Sequence, residues 1–126
     1  MPITYHIDSV ARLVSVVAEG KLEQEERLNM IRTWISDPAY EPGLNTLCDV
    51  SACTSTPTLQ ELRQIIAFVQ VNVATIGRKK LAVVTGAPIL FGVARQFQAL
   101  ADSSPLEVRV FADRAGAQLW LAEGNG

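Results

Sequence analysis

The chain has a single histidine, His6, among 126 residues. A serine or cysteine nucleophile that relies on an imidazole base would have to use it. His6 lies on the more polar side of an alternating segment, with no partner pattern beside it in the sequence. Cysteine is almost as scarce: Cys48 and Cys53 are the only two, five positions apart. Even with the histidine they fall short of the four ligands a structural zinc site takes, so they read as reduced thiols in or near the core. Phosphate loops are missing too, since "GRKK" and "TGAPILFG" match neither a P-loop nor a dinucleotide fingerprint. These absences predict no catalytic centre, no metal and no cofactor. Long apolar runs are also lacking. The two charge-free stretches, 64–77 and 81–94, are 14 residues each, short of the roughly 20 that span a bilayer. The N-terminus has no basic segment leading into an apolar one, as a secretory signal would. The expectation is a soluble cytoplasmic protein without a membrane span.

What is present suits one domain, over 1–126. The chain is 48% hydrophobic and 19% charged, enough to close a core without staples. Its net charge of -2 argues against nucleic acid as a partner. That charge is unevenly placed. Residues 1–61 hold nine acids and four bases, whereas residues 62–126 hold four acids and seven bases. No acid occurs between Glu61 and Asp102, a stretch that carries Arg63, Arg78, Lys79, Lys80 and Arg95.

The pattern of apolar residues predicts five strands and four helices. Ile3–Asp8 alternates as a half-buried strand, and Arg12–Ala18 is apolar on both faces, like a central one. Ser9-Val10-Ala11 turns between them. Glu23–Ser36 reads as a helix with acids in its first turn and Leu28, Ile31 and Ile35 as its core stripe. A third strand follows at Leu44–Val50, then a polar loop over 51–58. The second helix is capped either by Thr56, with Pro57 at the first position, or by Thr58 with Glu61 in a capping box. It is expected to run to Ile76 and to end at Gly77. Lys80–Thr85 reads as a buried strand, Pro88–Asp102 as a helix, and Leu106–Ala112 as an edge strand. A last helix is capped by Asp113 and turns Ala117, Trp120 and Leu121 inward. The order ββαβαβαβα predicts an α/β domain with a mixed five-stranded sheet, parallel from the second strand onward. Simple strand order would put every crossover helix on one face. The apolar second and fourth strands ask for cover on the other face as well.

Two helices carry more apolar residues than a core face needs. At about 100° per residue, Leu59, Leu62, Ile65, Ile66, Val69, Val73 and Ile76 fill one arc of the second helix. Phe68 and Val71 lie outside it, and in the third helix Phe91 lies outside the core arc beside Arg95. A contiguous apolar patch marks an interface. Three readings compete: a homodimer seam through the second helix around Phe68 and Val71, a groove for a hydrophobic ligand, and cover by another part of the chain. Arg63 and Arg95, beside Phe68 and Phe91, suggest a basic and apolar surface for an acidic protein partner, or for an amphipathic anion or lipid. Asp49, near the carboxyl end of a parallel strand, is well placed for a ligand. A small hydrolase using Asp49, Thr58 and Arg95 is the rival reading.

A set of segments spread over nearly the whole chain carries a resemblance. They are "VVAEG", "LEQEE", "DPAYEPGLNTLCDVS", "GRKKLAVVTG", "FGVARQF" and "VRVFADRAGAQLWL". The pattern resembles the small, mostly uncharacterised bacterial SpoIIAA-like group, related to STAS domains and to the SEC14 lipid-binding fold. The resemblance implies a β-α superhelix and a non-enzymatic role in regulation or ligand binding. Anti-anti-sigma factors of the STAS class carry Asp-Ser-Ser-Gly, with the first serine phosphorylated, at the helix after the third strand. Counting from Asp49 places Thr58 at the acceptor position. Pro57, Leu59 and Gln60 replace the other three residues of that motif. Thr58 at a helix N-terminus is still a candidate phosphoacceptor, since free backbone N–H groups favour an anion there.

Overall fold

The computed structural model describes residues 3–123 of the expected 1–126 domain; Met1, Pro2 and 124–126 lie outside the described residues. Strands β1 (Ile3–Asp8) and β2 (Leu13–Gly20) form the antiparallel hairpin. Its turn is closed by Asp8, whose Oδ1 accepts the backbone N–H groups of Val10 and Ala11 at 3.0 Å each. Helix α1 (Gln24–Ile35) leads to β3 (Asn45–Cys53). Helices α2 (Leu59–Val71) and α3 (Val73–Ile76) lead to β4 (Lys79–Val84). Helix α4 (Pro88–Leu100), with a 3-10 turn at Ala101–Ser103, leads to β5 (Leu106–Phe111) and then to α5 (Arg114–Ala122). The sheet order is β1-β2-β3-β4-β5, parallel from β2 to β5. The α/β class, the single mixed sheet and the element order are those read from the sequence.

Side-chain alternation gives the sheet two unlike faces. One carries Val14, Val16 and Ala18 on β2, then Thr46, Cys48 and Val50 on β3, Leu81 and Val83 on β4, and Leu106 and Val108 on β5. Helices α1, α2 and α4 cover it, in two clusters centred on Trp34 and on Leu62, Ile66 and Phe97. The other face carries Leu47, Ala82 and Val84, which pack on Ala117, Trp120 and Leu121 of α5. The cover demanded by the second face is therefore α5. The apolar stripe of α5 meets the side of β3 and β4 that the other helices leave bare.

Several boundaries differ from the sequence reading, each for a local reason. Strand β3 runs on to Cys53 instead of stopping at Val50. A register shift in β2 between Val17 and Glu19 lets Ala52 and Cys53 pair with Glu19 and Gly20. Helix α2 stops at Val71 instead of Ile76. There the Asn72 side chain donates to the Phe68 carbonyl at 2.9 Å and competes with the helical ladder. Val73 falls beyond that break and is exposed, as is Leu59 in the first turn, although both lay on the expected core arc. Of the two candidate caps for α2, Thr58 is the one used. The end of α3 is fixed by Gly77, at φ 76°. A Cβ there would come within 2.5 Å of Gly43 N and 2.9 Å of the Pro42 carbonyl carbon, so only glycine lets the chain turn directly into β4.

Candidate functional site

The α1, α2, α4 face of the sheet encloses a cavity. Between the sheet and the α1, α2, α4 layer lies a cavity of about 220 Å³. Ala18, Thr46, Cys48 and Val83 are small or medium side chains on its sheet side, while Leu62, Ile65 and Val69 of α2 reach toward it from above. Trp34 of α1 and Phe97 of α4 also line it. A cavity of this size and apolar lining favours an apolar guest over water, which needs polar partners.

Lys79, the first residue of β4, is one of two cations in this mostly apolar lining. It is 7% exposed. Its Nζ donates to Thr46 Oγ1 at 2.8 Å, stands 4.0 Å from the centre of the Trp34 ring and 5.4 Å from that of Tyr40. No acid within salt-bridge distance partners it among the described residues. Burial without a counter-ion disfavours the ammonium and brings its pKa down from 10.5 to about 7. Tyr40 is fixed by donating its hydroxyl to the Ile76 carbonyl at 2.7 Å, and burial pushes its pKa up to about 12. The Cys48 thiol is likewise pushed up to about 12, chiefly by burial, so it is an inert lining group rather than a nucleophile.

Toward the carboxyl ends of the strands the lining passes to Leu22, Cys53, Ser55 and Pro57, with Arg27 as its charged member. Arg27 is already satisfied. Its guanidinium donates to the Leu22 carbonyl and to Gln24 Oε1, each at 3.2 Å, and lies 3.8 Å from Glu61 Oε1. Ser55 Oγ accepts the Leu22 N–H at 2.9 Å and so ties the loop before α2 to the start of α1.

The residues singled out from the sequence lie elsewhere. Asp49 is on the α5 face of β3, where its Oδ2 accepts from Arg114 at 3.0 Å and its Oδ1 from the Ser51 N–H at 3.0 Å. Burial alone would raise its pKa; the Ser51 hydrogen bonds and the Arg114 guanidinium outweigh that and hold it below the usual carboxylate range. Thr58 is an exposed N-cap. Its Oγ1 accepts the Glu61 N–H at 3.1 Å, and Glu61 Oε1 accepts the Thr58 N–H at 2.9 Å. The Glu61 carboxylate thus already holds the anion position of this helix start. Phe68 is half-buried against the core, and the Arg32 guanidinium of α1 stacks on it at 5.3 Å. Part of its excess apolar surface is therefore covered by the chain itself. Val71 is 84% exposed. Arg95 stacks on the half-buried Phe91 at 5.2 Å, and Arg63 is exposed on α2. None of these residues lines the cavity.

The sequence reading missed Lys79, Thr46 and Trp34. Lys79 and Lys80 enter the sequence reading only as bases of the acid-free stretch, and both are buried. The available signal was the alternation Lys79, Leu81, Val83, which puts a lysine in line with a core face. Among the described residues no group of three His, Cys, Asp or Glu side chains is arranged to hold a metal ion. No described helix is long and apolar enough to cross a membrane.

A solved structure shares this fold. The chain superposes, with a TM-score of 0.62, on the crystal structure of an uncharacterised Shewanella loihica PV-4 protein from the DUF3478 family with a SpoIIAA-like fold. The match covers 94% of this chain and 93% of the other, at 16% sequence identity. The fold is SpoIIAA-like. No protein-family model matches the chain, and no curated protein matches it. The SpoIIAA-like architecture is thus shared at low identity.

Proposed function

We propose that this SpoIIAA-like domain is a non-enzymatic binding module that takes a small apolar or amphipathic ligand between its sheet and the α1, α2, α4 layer. One observation carries the reading: an apolar cavity of about 220 Å³ under one helix layer, in a domain whose opposite face is covered by α5. Filling such a void with a guest restores the dispersion contacts that its lining lacks and removes apolar surface of the guest from water. Among the described lining residues the Cys48 thiol is held protonated, Arg27 is committed to Glu61, and Lys79 has only the Thr46 hydroxyl beside it, with no carboxylate to complete an acid–base pair.

The test uses the full chain stripped of bound lipid and a neutral fluorescent probe, N-phenyl-1-naphthylamine. Wild-type protein should bind one probe per chain with enhanced emission. Ile65→Trp, which puts an indole into the cavity from α2, should abolish binding while leaving the far-ultraviolet circular dichroism unchanged. Absence of binding to wild type, or equal binding by both proteins, would overturn the reading.

A further inference from the structure

We propose that the cavity's guest is a short-chain amphiphile with a carboxylate head, of the fatty-acid class, and that the Lys79 ammonium anchors that head. The inference rests on the ligand-binding reading above and deepens it. An ammonium has three donors. Thr46 Oγ1 takes one, and among the described residues no second acceptor and no counter-ion meets the others. The rings of Trp34 and Tyr40 steady the cation without neutralising it. A buried unpaired charge is costly, and a guest carboxylate supplies both the missing charge and the missing acceptors.

The rest of the lining selects the orientation. Leu81 and Val83 continue from Lys79 along the same face of β4, so the apolar path from head to tail is about 13 Å at the strand rise. The helix side offers Leu62, Ile65 and Val69 from α2 and Leu90, Ala94 and Phe97 from α4, none of them ionisable. The other titratable groups lining this space are Cys48 and Cys53, both with raised pKa, and Arg27; Tyr40, beside Lys79, donates its hydroxyl to the Ile76 carbonyl. Arg27 lies at the far end and is balanced by Glu61. It therefore does not compete with Lys79 for the head. Of the cavity's two cations, only Lys79 lacks a counter-ion, and that asymmetry points the carboxylate toward the start of β4.

Calorimetric titration of the delipidated full chain with octanoate and octanol at pH 7 tests this. Wild type should bind octanoate about tenfold or more tighter than octanol. Lys79→Met should bind the two alike, with its octanol affinity close to that of wild type, and Lys79→Arg should keep a preference for octanoate. A second measurement needs no variant. At pH 8, octanoate binding should take up protons as Lys79 recharges, seen as a dependence of the heat on buffer ionisation enthalpy, while octanol should take up none. Equal affinities of wild type for both, a preference that survives in Lys79→Met, or no proton uptake would overturn the anchor while leaving the cavity reading intact. Failure of wild type to bind either molecule would overturn both.

Discussion

Lys79 and Lys80 are neighbours on β4, both buried, and point to opposite faces of the sheet. Lys80 is partnered. Its Nζ donates to the Trp120 carbonyl at 3.1 Å and to that of Glu123 at 3.4 Å, and it lies 5.0 Å from the Trp120 ring. It thus satisfies carbonyls at the C-terminal end of α5, where the helix dipole favours a cation. Lys79 has one hydroxyl and two aromatic faces, and no anion. The α5 face is closed by its own chain; the other face holds a void with an uncompensated charge at one end. Burial of a lysine is therefore not itself the signal of a site. The signal is a buried lysine whose partners are missing.

This contrast can be broken in graded steps. The largest effect is expected on the closed face. Trp120→Ala removes the ring that packs on Phe111, Lys80 and Arg109, and should lower stability by about 3–5 kcal/mol in urea unfolding. Next comes a pair of neighbours on β4. Ala82 is fully buried against α5, so Ala82→Leu should overpack and cost about 1–3 kcal/mol, whereas Val83→Leu, facing the cavity, should cost less than about 1 kcal/mol. Equal costs would mean that the faces are packed alike.

A smaller effect is expected from removing the unpaired charge. Lys79→Met should be more stable than wild type near neutral pH by about 1 kcal/mol or more. The folded Lys79 titrates near 7 and the unfolded one near 10.5, so between these values the unfolded chain binds more protons. Stability of wild type relative to Lys79→Met should therefore rise from about pH 7 toward pH 9. Cys48, with a folded pKa above its ordinary 9.0, contributes stability that is lost as pH climbs past 9, and it does so in both proteins. The difference between them isolates the lysine.

Much of the fold was legible because its signals are local. Strand alternation, Pro88 opening α4, the Thr58–Glu61 capping box and Asp113 capping α5 each act within a few residues. The resemblance to the SpoIIAA-like group agrees with the fold found. The Asn72 break in α2 was less legible, since it depends on a side chain that bonds back to the Phe68 carbonyl beside its own backbone N–H. The cavity was not legible at all. A void is the absence of bulk between elements distant in sequence, and Ala18, Thr46 and Cys48 each look like ordinary core residues. Phe68 shows the converse: it looked surplus on its own helix, and the partner that covers it, Arg32, belongs to another. Lys79 was overlooked because charge was counted along the chain, whereas its role depends on which face of β4 it occupies.

The central claim is that one face of the sheet is built to receive a guest and the other is not. Titration of isotopically labelled, delipidated protein with octanoate, followed by amide and methyl NMR shifts, tests it most directly. The expected shifts fall on Cys48, Ile65, Leu81 and Val83, with Ala82, Val84, Ala117 and Trp120 unmoved. Shifts confined to the exposed Val71 and Ile89, or equal on both faces of β4, would contradict it.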